Sequence, residues 1–141
     1  MVEYNAAFFS THESYFLILK KICGEKIALD IFRLVMEKNL KKAYDTMCFK
    51  RGIPKEFVRV VSERDKSVGL KVTLKIVDDG IIYRFHTDPF PNLRGKVSAG
   101  RLDDTYMAFK VSYLLGKSWS YKTTKHLWKG DSYTEHVISK K

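Results

Sequence analysis

Leu70, Val72, Leu74 and Ile76 alternate with Lys71, Thr73 and Lys75, and the run stops at Asp78-Asp79-Gly80. Successive side chains of an extended chain point to opposite sides, so this alternation builds a strand with one apolar face. The Asp-Asp-Gly turn then folds the chain back. Residues 81–87 supply the return strand, with Tyr83 and Phe85 on one face and Ile82, Arg84 and His86 on the other. Asp88-Pro89-Phe90-Pro91 ends it, because proline has no N–H to give to a ladder. A lone hairpin of this kind is marginal in water. It needs a second layer, and the remaining sequence has to provide one.

Helices precede the hairpin. Ser10-Thr11-His12-Glu13 has the form of a capping box, and Tyr15, Leu19 and Ile22 follow at helical spacing until Gly24. His12 then belongs to a solvated first turn. Residues 25–49 carry a stripe of Leu29, Phe32, Met36, Leu40, Ala43 and Met47, which predicts a long helix. Ile27, Ile31, Leu34 and Val35 widen its apolar arc, so the first half should be the more deeply buried. Glu37 and Lys41 are spaced as an outward ion pair. Pro54 suits a first helical turn and opens a short helix over residues 54–67, although Val58, Val60 and Val61 would also fit a strand.

After a loop over residues 92–100, residues 102–115 read as an amphipathic helix. Leu102, Tyr106, Phe109 and Tyr113 form its inner stripe, Asp103 and Asp104 lie in its first turn, and Gly116 closes it. Two strand-like runs follow at 119–128 and 133–138, joined at Gly130-Asp131. A two-residue turn there places Trp128 opposite Tyr133, His126 opposite Glu135 and Thr124 opposite Val137, all on one side. The order helix, long helix, short helix, hairpin, helix, hairpin is α+β. It predicts a four-stranded antiparallel sheet from two hairpins, packed against the N-terminal helices and one inserted helix, in a single domain of 141 residues.

Charge and composition narrow the function classes. Lys and Arg number 26 against 16 Asp and Glu, a net charge of +10, which invites a nucleic-acid partner. The basic residues are scattered, however, with Lys41-Lys42, Lys50-Arg51 and Lys140-Lys141 the densest stretches. A small anionic ligand uses the same excess equally well. No apolar run approaches the roughly 20 residues that span a bilayer. The opening residues lack a basic segment ahead of an apolar one. Both points set the expectation of a cytoplasmic protein. Cys23 and Cys48 lack metal-ligand spacing and are expected as reduced, buried thiols.

His126 and Glu135 stand out for chemistry. A carboxylate that accepts from one imidazole nitrogen leaves the other free as a base. Trp128 and Tyr133 beside them suit a pocket wall. His86 and Asp88 end the first hairpin on one face and could orient a ligand. With His126 they could form a two-His, one-carboxylate site, although nothing in the spacing requires a metal or other cofactor. Arg84 could hold a ligand carboxylate as a fork. Tyr106 could turn its hydroxyl into a pocket. The alternative for each is ordinary: surface for the charged groups and core for the aromatic ones. No phosphate-cradling glycine loop, nucleophile elbow or Cys-x-x-Cys is present.

The element order resembles the 4-vinyl reductase-type domain and the related L-2-amino-thiazoline-4-carboxylic acid hydrolase-like proteins. Their wider superfamily includes haem-based nitric oxide sensors and Golgi transport-complex subunits. Asp88-Pro89-Phe90 is similar to the Cys-Pro or Ser-Pro-Phe element of that group. Gly100 and its helix resemble the group's glycine-led helix, and Gly130-Asp131-Ser132-Tyr133-Thr134 resembles a closing Gly-Asp-x-x-Cys. Asp88 and Thr134 stand where many relatives have cysteine, so thiol or cysteine-metal chemistry does not carry over. The resemblance implies a pocket between sheet and helices, often in a homodimer, for a small apolar or carboxylate-bearing ligand. Were the chain catalytic, ring-amide hydrolysis would be implied, with His126 as base, Glu135 as its orienter and Arg84 as carboxylate clamp. A basic nucleic-acid-binding module and a structural or assembly subunit remain the alternatives.

Overall fold

The computed structural model describes residues 2–141. Four helices and four strands are found among them: α1 (Ala6–Cys23), α2 (Glu25–Asp45), α3 (Pro54–Ser67), β1 (Val72–Val77), β2 (Gly80–Phe85), α4 (Ala99–Leu114), β3 (Trp119–Lys125) and β4 (Thr134–Lys140). Short 3-10 turns occupy Pro91–Leu93 and Leu127–Lys129. The strands form one antiparallel sheet in the order β1-β2-β4-β3, so the α+β architecture is as expected.

The first hairpin turns through Asp78 and Asp79, with Val77 opposite Gly80 and Leu74 opposite Tyr83. Tyr83 in turn faces His136, and Ile81 faces Ile138, which faces Tyr121. Directly opposed residues share a face. Leu74, Ile81, Tyr83, Phe85, Trp119, Tyr121, His136 and Ile138 therefore line the covered side. Phe16, Phe32, Phe57, Met107 and Leu114 complete the core from the helices.

The helix boundaries depart from the sequence reading in instructive ways. Helix α1 starts one turn early, because the Asn5 side chain accepts from Phe8 N–H at 3.1 Å and caps it. The box at Ser10 is therefore mid-helix. Glu13 is buried and accepts from the backbone N–H of Asn92 at 2.7 Å and its side-chain amide at 2.9 Å, which fixes the loop before α4. His12 also lies mid-helix and is half-buried. The Pro54 element is a helix throughout, its Phe57, Val60 and Val61 forming one buried stripe. Helix α4 starts at Ala99 behind a Ser98 cap, so Asp103 and Asp104 lie one turn inside it. Its buried stripe runs through Tyr106, Lys110 and Leu114, leaving Phe109 and Tyr113 half-buried.

Helix α2 is buried evenly along its length rather than more deeply in its first half. Ala28, Phe32, Leu40 and Tyr44 are inside, whereas Ile27, Leu34 and Val35 face solvent beside Tyr15, Ile18 and Ile22 of α1. The apolar arc is wider than the contact that α1 and α4 make with it, and the surplus stays outside. Lys41 pairs with Asp45 at 2.8 Å rather than with Glu37. Cys23 and Cys48 are free thiols but exposed, not buried, because Cys23 ends α1 and Cys48 lies in the loop after α2. No helix of the described residues is long and apolar enough to cross a membrane.

Candidate functional site

The terminal ribbon separates the two residues expected to meet. Instead of a two-residue turn, the chain makes a 3-10 turn over Leu127–Lys129 and passes through Gly130 in the left-handed region. Side chains hold this wider loop: Asp131 accepts from His126 N–H at 2.9 Å, and Thr134 Oγ1 accepts from Leu127 N–H at 3.1 Å. The ladder closes at Lys125 opposite Glu135, shifts register between Thr123 and Lys125, and continues with Thr123 opposite His136. A slip of one residue sends a side chain to the other face. His126 points inward to α4, Glu135 points outward, and Thr124 does not face Val137; Lys122 does.

The inward group is His126, Tyr106, Trp128 and Asp88, drawn together by Asp103. Nε2–H of His126 donates to Asp103 Oδ2 at 2.8 Å, and the Tyr106 hydroxyl donates to Oδ1 at 2.8 Å. The Nδ1 of His126 accepts from Trp128 N–H at 3.0 Å. That bond defines a neutral imidazole protonated on Nε2. Both ring nitrogens are occupied, so neither is available as a base. Trp128 Nε1 donates to Asp88 at 2.7 Å, and Asp88 also accepts from Phe90 N–H at 2.9 Å. Burial, reinforced by Asp103, pushes the Tyr106 phenol well above its usual value and keeps it a donor. The void among these side chains is about 10 Å³, barely room for one water.

The outward group is Glu135, Arg84, Tyr133 and His86, on the sheet face that carries no helices. Glu135 accepts from Thr124 Oγ1 and from Arg84 Nε, each at 2.7 Å. These bonds, Thr124 first, hold its carboxyl below the usual carboxylate range. The Arg84 guanidinium lies 4.6 Å from the Tyr133 ring centre, and Lys125 donates to the Tyr133 hydroxyl at 3.1 Å. His86 Nε2 bonds Thr73 Oγ1 at 3.0 Å. His86 and Asp88 are thus tied to different partners and form no joint site.

A third arrangement, which the sequence reading did not name, lies between the covered sheet face and the helices. A chamber of about 40 Å³ is bounded by Phe8, Phe9, Leu40, Leu70 and Phe90, among others, with Lys110 and Asp65 in its wall. Lys110 Nζ donates to the Tyr83 hydroxyl at 2.8 Å and approaches Asp65 at 3.4 Å. The Tyr83 hydroxyl donates to the other oxygen of Asp65. Both charged residues are 3 % exposed. His12 and Arg64 also line the chamber. His12 Nδ1 is bonded to the Phe8 carbonyl at 2.8 Å. The sequence did hold a signal: Lys110 sits four residues from both Tyr106 and Leu114, and Asp65 four from Val61. Each is a charge placed within an apolar helical stripe.

The fold is similar to that of an H-NOX protein. The chain superposes with a TM-score of 0.53 on the crystal structure of an H-NOX protein from S. oneidensis in the Fe(II)NO ligation state. The match covers 100 % of this chain and 78 % of that one at 8 % identity, so the likeness is one of architecture. No protein-family model matches the sequence, and no curated protein is similar to it. Neither buried histidine, His126 or His136, faces a space that would take an iron-bearing cofactor. Among the described residues no three His, Cys, Asp or Glu side chains gather as metal ligands do. Both nitrogens of His126 are engaged, and His136 is hemmed in by the rings of Tyr83, Phe85 and Tyr121. The chamber beside His12, at about 40 Å³, is suited only to a small molecule.

Proposed function

We propose that this chain is a small-molecule-binding domain whose ligand occupies the chamber between the covered sheet face and helices α1, α2, α3 and α4. The observation that carries the reading is the Lys110–Asp65–Tyr83 cluster at the wall of a largely apolar space. Apolar lining with a few convergent polar groups is how small ligands are held and oriented. The volume suits a ligand of a few heavy atoms, and the cations Lys110 and Arg64 beside it favour a short carboxylate. The resemblance to the 4-vinyl reductase-type group and the likeness to an H-NOX protein agree with such a role. Hydrolysis with His126 as base is disfavoured, since its Nδ1 lone pair is held by Trp128 N–H and Glu135 is across the sheet.

Titration with butyrate, followed by the side-chain methyl resonances of Met36, Leu40 and Leu70, tests the reading. A saturable shift of these methyls is expected, and Leu40→Phe, which fills the chamber, should abolish it. Shifts confined to exposed lysines would refute it.

A second reading, a self-associating subunit, draws on the exposed apolar residues Tyr15, Ile18, Ile22, Leu34 and Val35. Isolated apolar residues are normal on a surface, but a row of them along two adjacent helices marks an association face. Sedimentation equilibrium of the parent chain and of Ile18→Glu with Leu34→Glu would decide it. A dimer that the double variant splits supports the reading, and a monomeric parent removes it. For nucleic acid, the coherent basic surface is the open sheet face, where Lys71, Lys75, Arg84, Lys122 and Lys125 stand. A steep fall of affinity with added salt is its signature.

A further inference from the structure

We propose that Lys110 is a carbonyl-capturing amine, its Nζ forming a reversible imine with a small aldehyde or 2-oxo acid in the chamber; this rests on the chamber being a ligand site. A lysine serves as a nucleophile where burial favours the free amine and a neighbouring group can take and return its proton. Lys110 meets both conditions. Its Nζ makes one good hydrogen bond, to Tyr83, and only a long approach to Asp65. The rings of Tyr83, Tyr106 and Phe85 surround it with centres 5.1, 5.4 and 5.5 Å away. Burial pulls the Lys110 ammonium below the usual lysine value, against the opposing attraction of Asp65. Tyr83 is held protonated, by burial first and by Asp65 next, so it accepts from Lys110 Nζ while donating to Asp65.

The proton and electron movements balance within this cluster. Lys110 first passes a proton to Asp65. The freed lone pair attacks the carbonyl carbon. A C–N bond forms as the C=O π pair moves to oxygen, which takes the proton back from Asp65. Nitrogen then loses a second proton to Asp65, its lone pair forms the C=N bond, and the hydroxyl leaves as water with that proton. One carbonyl is captured, one water is released and nothing is oxidised or reduced. The product is a cation, as Lys110 was, so Asp65 and the three ring faces stabilise it as they did the ammonium. The void, about 40 Å³, limits the captured molecule to a few heavy atoms.

The test is reductive trapping on the whole native chain. Propanal or pyruvate is supplied below the protein concentration near neutral pH with cyanoborohydride, and peptides are mapped by mass. Lys110 should carry the adduct ahead of the exposed lysines. Tyr83→Phe should slow that trapping at least several-fold, and Lys110→Met should remove it. Trapping by pyruvate alone assigns a 2-oxo acid, and by propanal alone an aldehyde. An adduct spread over exposed lysines with none at Lys110 overturns the proposal. The mapping needs no variant, so a Lys110→Met chain that fails to fold leaves it decisive. If butyrate still binds while Lys110 stays unmodified, the imine falls and the chamber stands. If butyrate does not bind either, both fall.

Discussion

Asp103 and His126 meet across the core through a 2.8 Å hydrogen bond from Nε2–H to the carboxylate, although they lie on α4 and at the end of β3. With Tyr106 on its other oxygen, Asp103 has each carboxylate oxygen occupied in a buried setting. Removing the imidazole strands a carboxylate away from water. His126→Ala should therefore cost about 2–3 kcal/mol in urea unfolding. His126→Gln, which can keep a donor near Asp103, should cost less. Equal losses from the two variants would show that the bond is not what matters.

Arg84 and Glu135 are as close as Asp103 and His126, but they lie on the open face. The Arg84 side chain is 40 % exposed. Surface pairs gain little, because water and salt screen them. Arg84→Ala should cost less than about 1 kcal/mol, and added salt should shrink the difference further. A loss comparable to that of His126→Ala would contradict this assignment of faces.

His136 is enclosed and neutral. Its Nδ1 bonds Thr123 at 2.9 Å, while its Nε2 has no hydrogen-bond partner. Burial pulls the imidazole from the usual 6.5 down to about 4. The unfolded chain takes up the proton first as pH falls, so protonation favours unfolding. Stability is full above about pH 6.5 and drains away between there and pH 4, by roughly 3 kcal/mol in total. Urea midpoints from pH 7 to 4 should follow that slope in the parent chain, and His136→Phe should flatten it. An unchanged slope in the variant would assign the acid sensitivity to other groups.

Lys110 and Asp65 are a buried pair, so the two single variants and the double variant should behave differently. Lys110→Met leaves the Asp65 charge uncompensated and should cost about 3–5 kcal/mol. Asp65→Leu combined with Lys110→Met removes both charges and should recover much of that loss. A double-mutant cycle read by chemical denaturation measures the coupling.

Gly69 marks a backbone crossing. Its φ is +80°, and a Cβ there would lie 1.9 Å from the Glu3 carbonyl oxygen. Gly69→Ala should cost on the order of 1–3 kcal/mol through strain and displacement of the N-terminal segment. Amide exchange should speed up at Asn5, whose N–H donates to Val68, before it does in the sheet.

The architecture was legible wherever one periodicity acted alone. The alternation of Leu70–Ile76 and the Asp-Asp-Gly turn found β1, β2 and the hairpin between them, and the stripe through Phe32 and Leu40 found α2. Boundaries failed where a distant contact outbid a local motif. Glu13 serves Asn92 rather than a capping box, and Asn5 caps instead. The depth of burial along α2 depended on how many neighbours that helix would find, which no stripe records. The candidate site was half legible. His126, Tyr106, Trp128 and Asp88 do gather, but about Asp103. Glu135 was lost to a turn wider than Gly130-Asp131 suggested, because Asp131 and Thr134 bond the loop from within. Lys110 and Asp65 were visible as charges inside apolar stripes, yet their meeting across 45 residues was not.

The N-terminal crossing also bears on how a molecule would reach the interior. Tyr4 stacks on Phe9 and its hydroxyl donates to the Pro89 carbonyl at 2.9 Å, while Phe8, Phe9 and Pro89 bound the chamber. The first turn of α1 therefore closes one side of the chamber, held by the Tyr4 phenol and by the Asn5–Val68 hydrogen bond. Loading would cost the brief opening of that one turn, with the sheet left untouched. Uptake should then keep pace with the breathing of that single turn.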